Sequence, residues 1–148
     1  MIYILIVAAI FLTELKIKKY IEENKEMHKK EEIFQGNIIL ERYHNKGAML
    51  NFMENSVQAV KVITTTLLGI LLLLFVILLP KKGDHLLKLS LSLVLGGALS
   101  NVYDRLTKGY VVDYFSFKFL KKIVFNISDI CIFIGSAIMV LISFIKRD

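Results

Sequence analysis

The chain has 148 residues, of which 55% are hydrophobic, and a formal net charge of +6. With a mean hydropathy of +0.60 it is too apolar for an ordinary soluble domain of this length, so we predict an all-α integral membrane protein. The basic residues lie between apolar segments, where they would meet the headgroups of membrane lipids, and no nucleic-acid partner is expected. The single cysteine, Cys131, excludes a disulfide within the chain, and the sequence has no metal-binding motif, so no metal or cofactor is predicted.

Four apolar segments are predicted to cross a membrane as helices. The first is short, and the lysines that follow it, Lys16, Lys18 and Lys19, are expected to snorkel and extend it. A cleaved signal peptide is the competing interpretation, which is disfavoured because no basic residue precedes the apolar run. Pro80 ends the second segment. The predicted spans cover about 1–21, 62–79, 86–103 and 127–145.

The stretch between the first and second spans is polar. Residues 22–32 are charged throughout and are predicted to form a solvated helix or a linker. From Asn37 apolar and polar residues roughly alternate, and Gly47 interrupts the pattern, which predicts a pair of short strands within about 37–53. We therefore predict four transmembrane helices with a small β-containing subdomain, in a single membrane domain of residues 1–148.

The positions of lysine and arginine predict the orientation. The short connection after the second span carries Lys81, Lys82 and Lys88, and the C-terminal tail carries Lys146 and Arg147. Four spans place these residues on one side, and positive charge favours the cytoplasmic side, so both termini are predicted to be cytoplasmic. The strand-containing region is then extracytoplasmic.

Small residues recur on one face of the third span. Ser92, Gly96 and Ser100 are spaced four apart, and small side chains allow close helix approach. Two interpretations remain open: the face receives an apolar substrate helix, or it packs the protein's own bundle.

Two aspartates stand at the edges of apolar segments near the C-terminus. A carboxylate at membrane depth costs roughly 2.5 kcal/mol or more, so its presence indicates function. If Asp113 and Asp129 converge, like charge at short range keeps one protonated, and the pair can act as acid and base. Alternatively, Asp113 is a solvated loop carboxylate and Asp129 caps a helix. Asp104 is expected to be structural or solvated, and His28, His44 and His85 are expected to be solvated.

Three blocks of sequence carry a more specific pattern. They are Asn45–Leu50, then Gly96–Arg105 continuing through Gly109 to Asp113, and finally Phe125–Asp129. Their order and spacing resemble the signal peptidase II family over most of the chain. Two departures stand out, since Ser100 occupies a usual glycine position and Ser128 a usual alanine position.

The resemblance implies a membrane aspartyl endopeptidase of the bacterial cytoplasmic membrane, acting as a monomer. Its substrates would be diacylglyceryl-modified prolipoproteins, cut before the lipidated cysteine. Asp113 and Asp129 match the catalytic pair. The residues that match substrate-binding or site-ordering positions are Asn45, Gly47, Asn101, Arg105 and Asn126. Glu14 and Lys18 fall where the family has an Asp-Gln-x-x-Lys pattern.

Two other functions are considered. A non-enzymatic membrane protein that binds lipopeptides would keep the groove without the chemistry, and the intact aspartates disfavour it. A small transporter would use the carboxylates to relay protons, and the absence of repeated halves disfavours that.

Overall fold

The computed structural model describes residues 1–47, 54–120 and 123–145. The fold is mostly helical, with a small three-stranded sheet, as predicted in outline. The helices are α1 (Ile2–Asn24), α2 (Val57–Leu78), α3 (His85–Thr107) and α4 (Ile127–Ile145), and the strands are β1 (Glu31–Ile33), β2 (Ile38–Asn45) and β3 (Val111–Phe117). Short 3-10 turns at Glu54–Ser56 and Lys118–Leu120 precede α2 and follow β3.

Three of the described helices, α2, α3 and α4, are long and apolar enough to cross a membrane. The outer faces of α2 and α4 expose large apolar side chains such as Leu73 and Phe133, a surface suited to lipid. The fourth long helix, α1, does not have the same apolar composition, because charged residues begin at Glu14. One of them, Lys18, is only 1% exposed, so the prediction that it snorkels to the membrane surface is wrong.

The most buried helix, α3, lies against α1, α2 and α4. Its approach to α4 depends on two glycines. A Cβ on Gly97 would collide with the Ser128 carbonyl oxygen, and one on Gly135 would lie 2.5 Å from the Ser90 carbonyl oxygen. Since backbone cannot move aside as a flexible side chain does, these two positions hold the helices close together.

The small-residue face of α3 is occupied by the protein itself. Ser92 and Ser100 are fully buried, and a Cβ on Gly96 would lie 2.9 Å from Ile10 Cβ of α1. The structure therefore supports the packing interpretation of this face and contradicts its use as a docking surface for a substrate helix.

The sheet has the strand order β1-β2-β3, with both neighbouring pairs antiparallel. One strand, β2, lies within the predicted 37–53 region, but its partners β1 and β3 lie outside it, so the predicted local pair of strands is wrong. Residues 48–53 of that region lie outside the described residues. Between Leu40 and Tyr43 the register shifts, and Tyr43 then pairs with Asp113. The sheet thus joins the segment after α1 to the segment after α3.

Candidate active site

Asp113 lies in the middle of β3 and is 1% exposed. Its carboxyl group accepts two side-chain amide hydrogen bonds, from Asn45 Nδ2 to Oδ2 at 3.0 Å and from Asn126 Nδ2 to Oδ1 at 2.7 Å. A solvated loop carboxylate is therefore the wrong interpretation. Asp113 is predicted at the edge of an apolar segment, and that part of the chain is the buried strand β3, whose pairing fixes the backbone at Asp113.

Asp129 lies in the first turn of α4, where reciprocal hydrogen bonds link it to Asn126. Asn126 Oδ1 accepts the Asp129 backbone N–H at 2.9 Å, and Asp129 Oδ2 accepts the Asn126 backbone N–H at 3.1 Å. This reciprocal pattern is that of a capping box at a helix start. The capping residue is therefore Asn126, and Asp129 is its partner in the first turn, which corrects the interpretation of Asp129 as the cap itself. Asp129 also lies at the site, because its Oδ1 accepts a hydrogen bond from Asn101 Nδ2 at 2.8 Å.

The backbone before α4 explains why Asn126 reaches both carboxyl groups. Phe125 pairs with Phe115 of β3, donating its N–H to the Phe115 carbonyl at 2.7 Å and accepting the Phe115 N–H at 3.0 Å. This short bridge continues the sheet and places the next residue, Asn126, beside Asp113. The fully buried Asn126 side chain contacts Asp113 while its backbone contacts Asp129. Asn126 thereby joins β3, which carries Asp113, to the start of α4, which carries Asp129.

A buried lysine fixes the orientation of Asn101. Lys18 Nζ donates to Asn101 Oδ1 at 2.8 Å and to Ser100 Oγ at 2.9 Å, and it lies 3.2 Å from Asp104 Oδ2. Because the amide oxygen of Asn101 faces the lysine, its amide nitrogen faces Asp129. Asp104 is fully buried and also accepts the Val112 N–H at 3.2 Å, so its role is structural and the solvated alternative is wrong.

Asn45, Gly47 and Arg105 form the rim of the site. Asn45 Oδ1 accepts the Gly47 N–H at 3.0 Å, a local turn that holds the amide toward Asp113. Arg105 Nη2 donates to the Gly47 carbonyl at 3.0 Å, tying α3 to the end of β2. Each sequence-predicted site residue therefore makes a contact with another member of the set.

An apolar cavity of about 560 Å³ opens beside the two carboxyl groups. Asn45, Asn101, Asp113 and Asp129 are joined by hydrogen bonds at this cavity, and the remainder of the wall comes largely from α4 and the segment before it. The lining residues are Asn45, Asn101, Arg105, Val111, Asp113, Leu120, Ile123, Val124, Phe125, Asp129, Ile130, Ile132, Phe133 and Ser136. A largely apolar groove with convergent polar groups at one end suits a chain whose reactive bond lies next to hydrocarbon.

Burial and the proximity of Asp129 raise the pKa of Asp113 to about 8, against the weaker opposing effects of Asn45, Lys18 and Asn126. The carboxyl pair as a whole therefore retains a proton at neutral pH. Arg105 faces both aspartates from α3 and interacts with them electrostatically. One protonated and one ionised carboxyl group, side by side, can donate and accept a proton in the same reaction.

The family pattern at Glu14 and Lys18 gives neither residue a role at the site, and Tyr114 is not predicted to take part. Glu14 and Lys18 are both 1% exposed, and Tyr114 is a buried partner of Glu14. The spacing of Glu14 and Lys18 could have indicated this role, because charges four residues apart on an apolar helix share one face and need polar partners inside the bundle. The expectation that His44 is solvated is wrong as well, because it stacks on Tyr110 at 3.8 Å between ring centres. Among the described residues no cluster of potential metal ligands is found.

A helical bundle that holds two adjacent buried carboxyl groups beside an apolar cavity defines a class of protein, the membrane-embedded enzymes of the aspartic peptidase type. Within that class, the family model for signal peptidase (SPase) II matches residues 6–145. The chain belongs to the signal peptidase II family.

Individual relatives agree with this assignment. The lipoprotein signal peptidase of Halothermothrix orenii is 30% identical over 141 residues, covering 95% of this chain and 93% of that protein. The lipoprotein signal peptidase of Lactiplantibacillus plantarum is 30% identical over 150 residues, covering 99% and 96% respectively. A solved bacterial membrane enzyme shares the fold, with a TM-score of 0.85 and 21% identity over 99% of this chain and 89% of the other.

Proposed function

We propose that this protein is a membrane aspartic endopeptidase that removes the signal peptide from diacylglyceryl-modified prolipoproteins, with Asp113 and Asp129 as the catalytic pair. The observation that carries the proposal is their shared partner: Asn126 bonds to both aspartates at the polar end of the apolar cavity. Membership of the signal peptidase II family supplies the substrate class.

The chemistry follows from the pair's single proton. The ionised carboxyl group takes a proton from a water molecule, which attacks the scissile carbonyl carbon, while the protonated one stabilises the developing oxyanion and later supplies the proton for the leaving amine. Because the two groups titrate as a unit, the roles of acid and base belong to the pair. Asn45 and Asn126 hold Asp113, and Asn101 and Asn126 hold Asp129, so neither carboxyl group needs to reorient during the reaction.

The residues at the rim are assigned to the substrate backbone. Arg105 holds the Gly47 carbonyl with Nη2, and its buried Nε has no hydrogen-bond partner within the described part of the chain. A peptide carbonyl entering beside Asp113 would accept a hydrogen bond from this nitrogen. The turn at Asn45 and Gly47 would then lie beside the substrate backbone, next to Asp113.

The proposal includes a topology. We assign four transmembrane helices, with α1 included because its two buried charges, Glu14 and Lys18, are directed into the bundle. A hydrogen bond of 2.8 Å between Tyr3 and His85 places the start of α1 next to the connection that carries Lys81 and Lys82. By the positive-inside rule that end is cytoplasmic, together with both termini, and the sheet and active site are extracytoplasmic. Lys146 and Arg147 lie outside the described residues.

We further assign residues 1–148 to a single membrane domain that works as a monomer, with lipids covering the exposed faces of α2 and α4. The lipid chains of the substrate would remain in the bilayer and reach the cavity through its apolar wall on α4. The non-enzymatic alternative, a lipopeptide-binding protein, is not favoured, because it gives no reason to bury two adjacent carboxyl groups.

The test is cleavage of a diacylglyceryl-modified prolipoprotein by the purified protein in detergent. Asp113→Asn and Asp129→Asn should each abolish cleavage, because an amide cannot exchange the proton, while thermal stability is kept. Asp84→Asn is the matched control, since Asp84 is exposed at the opposite end of α3 and has a backbone φ of 49°, which asparagine tolerates. Activity in either site variant rejects the aspartyl mechanism, and equal cleavage of unlipidated substrate rejects the substrate class.

A further inference from the structure

The side chain that follows Asp113 lies on the other side of β3 and takes no part in the cavity. Tyr114 is 5% exposed, and its hydroxyl group donates to Glu14 Oε1 of α1 at 2.8 Å. The same hydroxyl oxygen accepts the backbone N–H of Ile127, the first residue of α4, at 3.1 Å. One phenol group therefore joins β3, α1 and α4.

Glu14 completes this junction from α1. It is 1% exposed, and its Oε1 also accepts the backbone N–H of Ser128 at 3.0 Å. Together with the bond from Asp129 N–H to Asn126, the first three backbone donors of α4 are thereby satisfied. Such donors have no partner within a helix, and a carboxylate beside them is stabilised by the helix dipole. Lys18, at 4.0 Å from Glu14 Oε2, faces the same group from the next turn of α1.

We propose that Tyr114 and Glu14 form a latch that sets the distance between Asp113 and Asp129. Neither residue lines the cavity, so both are positioning residues and not catalytic ones, and the inference rests on the proposed function of the two aspartates. The latch acts on the neighbours of the pair: Tyr114 follows Asp113 directly, and Ile127 and Ser128 stand just before Asp129. Asn126 links the two carboxyl groups directly, and the latch links the backbone next to each of them.

Both contacts suit a rigid junction. Burial, with Glu14 adding to it, raises the pKa of the Tyr114 phenol above its ordinary value, so it remains a donor at any pH at which the enzyme works. Three hydrogen bonds that converge on two oxygen atoms leave little freedom for β3 to slide along α4. A reaction between two groups that must meet one peptide bond is sensitive to such a shift, since displacement by 1 Å costs on the order of 100-fold in rate.

Removal of a single hydroxyl group tests the latch. We expect Tyr114→Phe to lower kcat by about 10- to 100-fold with KM within about twofold, because substrate binding is kept and the geometry of the pair is lost. Tyr110→Phe is the matched control: its hydroxyl group donates to Glu22 Oε1 at 3.0 Å, outside the site. That control should leave kcat and KM within about twofold of the parent.

Substitutions of Glu14 separate a hydrogen-bonding role from mere filling of space. Glu14→Gln keeps an oxygen that accepts from Tyr114 and Ser128 and should retain most of kcat, whereas Glu14→Leu should lose as much as Tyr114→Phe. The double variant Glu14→Leu/Tyr114→Phe should lose less than the sum of the two single losses, because both substitutions remove the bond between Tyr114 and Glu14. Additive losses overturn the latch.

Amide hydrogen exchange gives a readout that does not need activity. In Tyr114→Phe the amides of Ile127 and Ser128 should exchange faster than in the parent and in Tyr110→Phe, with the remainder of α4 unchanged. Unchanged exchange at these amides shows that the latch does not form. Faster exchange in Tyr114→Phe, with the kcat of the active parent unchanged, overturns the positioning role. If the parent protein cleaves no lipidated substrate, the proposed function is refuted, and the exchange rates still decide whether the latch exists.

Discussion

Replacing Lys18 with methionine tests the buried ionic network that holds Asn101 and β3. Methionine keeps the length and the apolar stem but removes the charge and three contacts of the ammonium group. Lys18 and Asp104 are 1% and 0% exposed at a separation of 3.2 Å, so the substitution leaves a buried carboxylate without the nearer partner of its Oδ2 atom. We expect a loss of stability much larger than that of an exposed lysine on the same helix.

The magnitude follows from the partners that remain. Breaking one side of a buried ion pair typically costs about 3–5 kcal/mol. Asp104 keeps a second cation, Lys108, 2.9 Å from its Oδ1, and the N–H of Val112 at 3.2 Å from Oδ2, which places the cost at the lower end. A loss of about 3 kcal/mol raises the unfolding equilibrium constant roughly 100-fold.

The assay is reversible unfolding in mixed micelles with an increasing fraction of denaturing detergent. Lys19→Met is the matched control, because Lys19 is 74% exposed in a pair with Glu23 at 3.7 Å, and its loss should stay within about 0.5 kcal/mol. Lys18→Met/Asp104→Asn should be more stable than Lys18→Met alone by about 1 kcal/mol or more, since it removes the stranded charge. If Lys18→Met costs no more than Lys19→Met, or if the double variant recovers nothing, the network does not stabilise the fold.

Two further predictions concern titration and packing. With the pKa of Asp113 raised to about 8, we expect kcat/KM to fall above about pH 8, because the pair then loses its remaining proton. A raised folded-state pKa also means that stability declines as pH rises from about 4 to about 8, a slope that Asp113→Asn should reduce and that chemical unfolding at several pH values would detect. Gly97→Ala should destabilise the protein by about 1–3 kcal/mol, because the added Cβ would meet the backbone of α4. Gly69→Ala is the control, because nothing lies within 4 Å of a Cβ at that position. Equal unfolding midpoints of the two variants would contradict the close approach of α3 and α4.

The helices were predictable because their signal is local. Long apolar runs gave α2, α3 and α4, and the bounds of α4 agree with the prediction, whereas α3 continues past 103 to Thr107. The grouping of Asp113 with Asn45, Asn101 and Asn126 follows from the resemblance of short motifs to the signal peptidase II family, and Asn45 and Asn126 lie next to the end of a strand or helix. Polar residues at the ends of apolar segments gather at one end of a bundle whenever successive helices alternate in direction.

The alternation from Asn37 indicates β2, but the other two strands could not be predicted, because they lack the usual alternation. The four residues from Val111 to Tyr114 in β3 are all buried, since one face of the strand meets the site and the other meets α1. Period-2 reasoning needs one face in water. The strand β1 is short and charged. Its pairing with β2 depends on a turn with positive φ at Phe34, Gln35 and Gly36, and no strong turn motif in the sequence predicts that turn.

The distribution of buried charge explains why the pair retains a single proton. Glu14 lies at the start of α4, where the helix dipole, the Ser128 N–H and the Tyr114 hydroxyl group stabilise a negative charge, and Lys18 lies beside Asp104. Lys18 also acts electrostatically on Asp113, and Arg105 faces both aspartates from α3. One negative charge on the pair is balanced by this guanidinium group, whereas a second would be unmatched in a region of low dielectric constant. The burial of the two carboxyl groups therefore favours the protonation state that the proposed reaction requires.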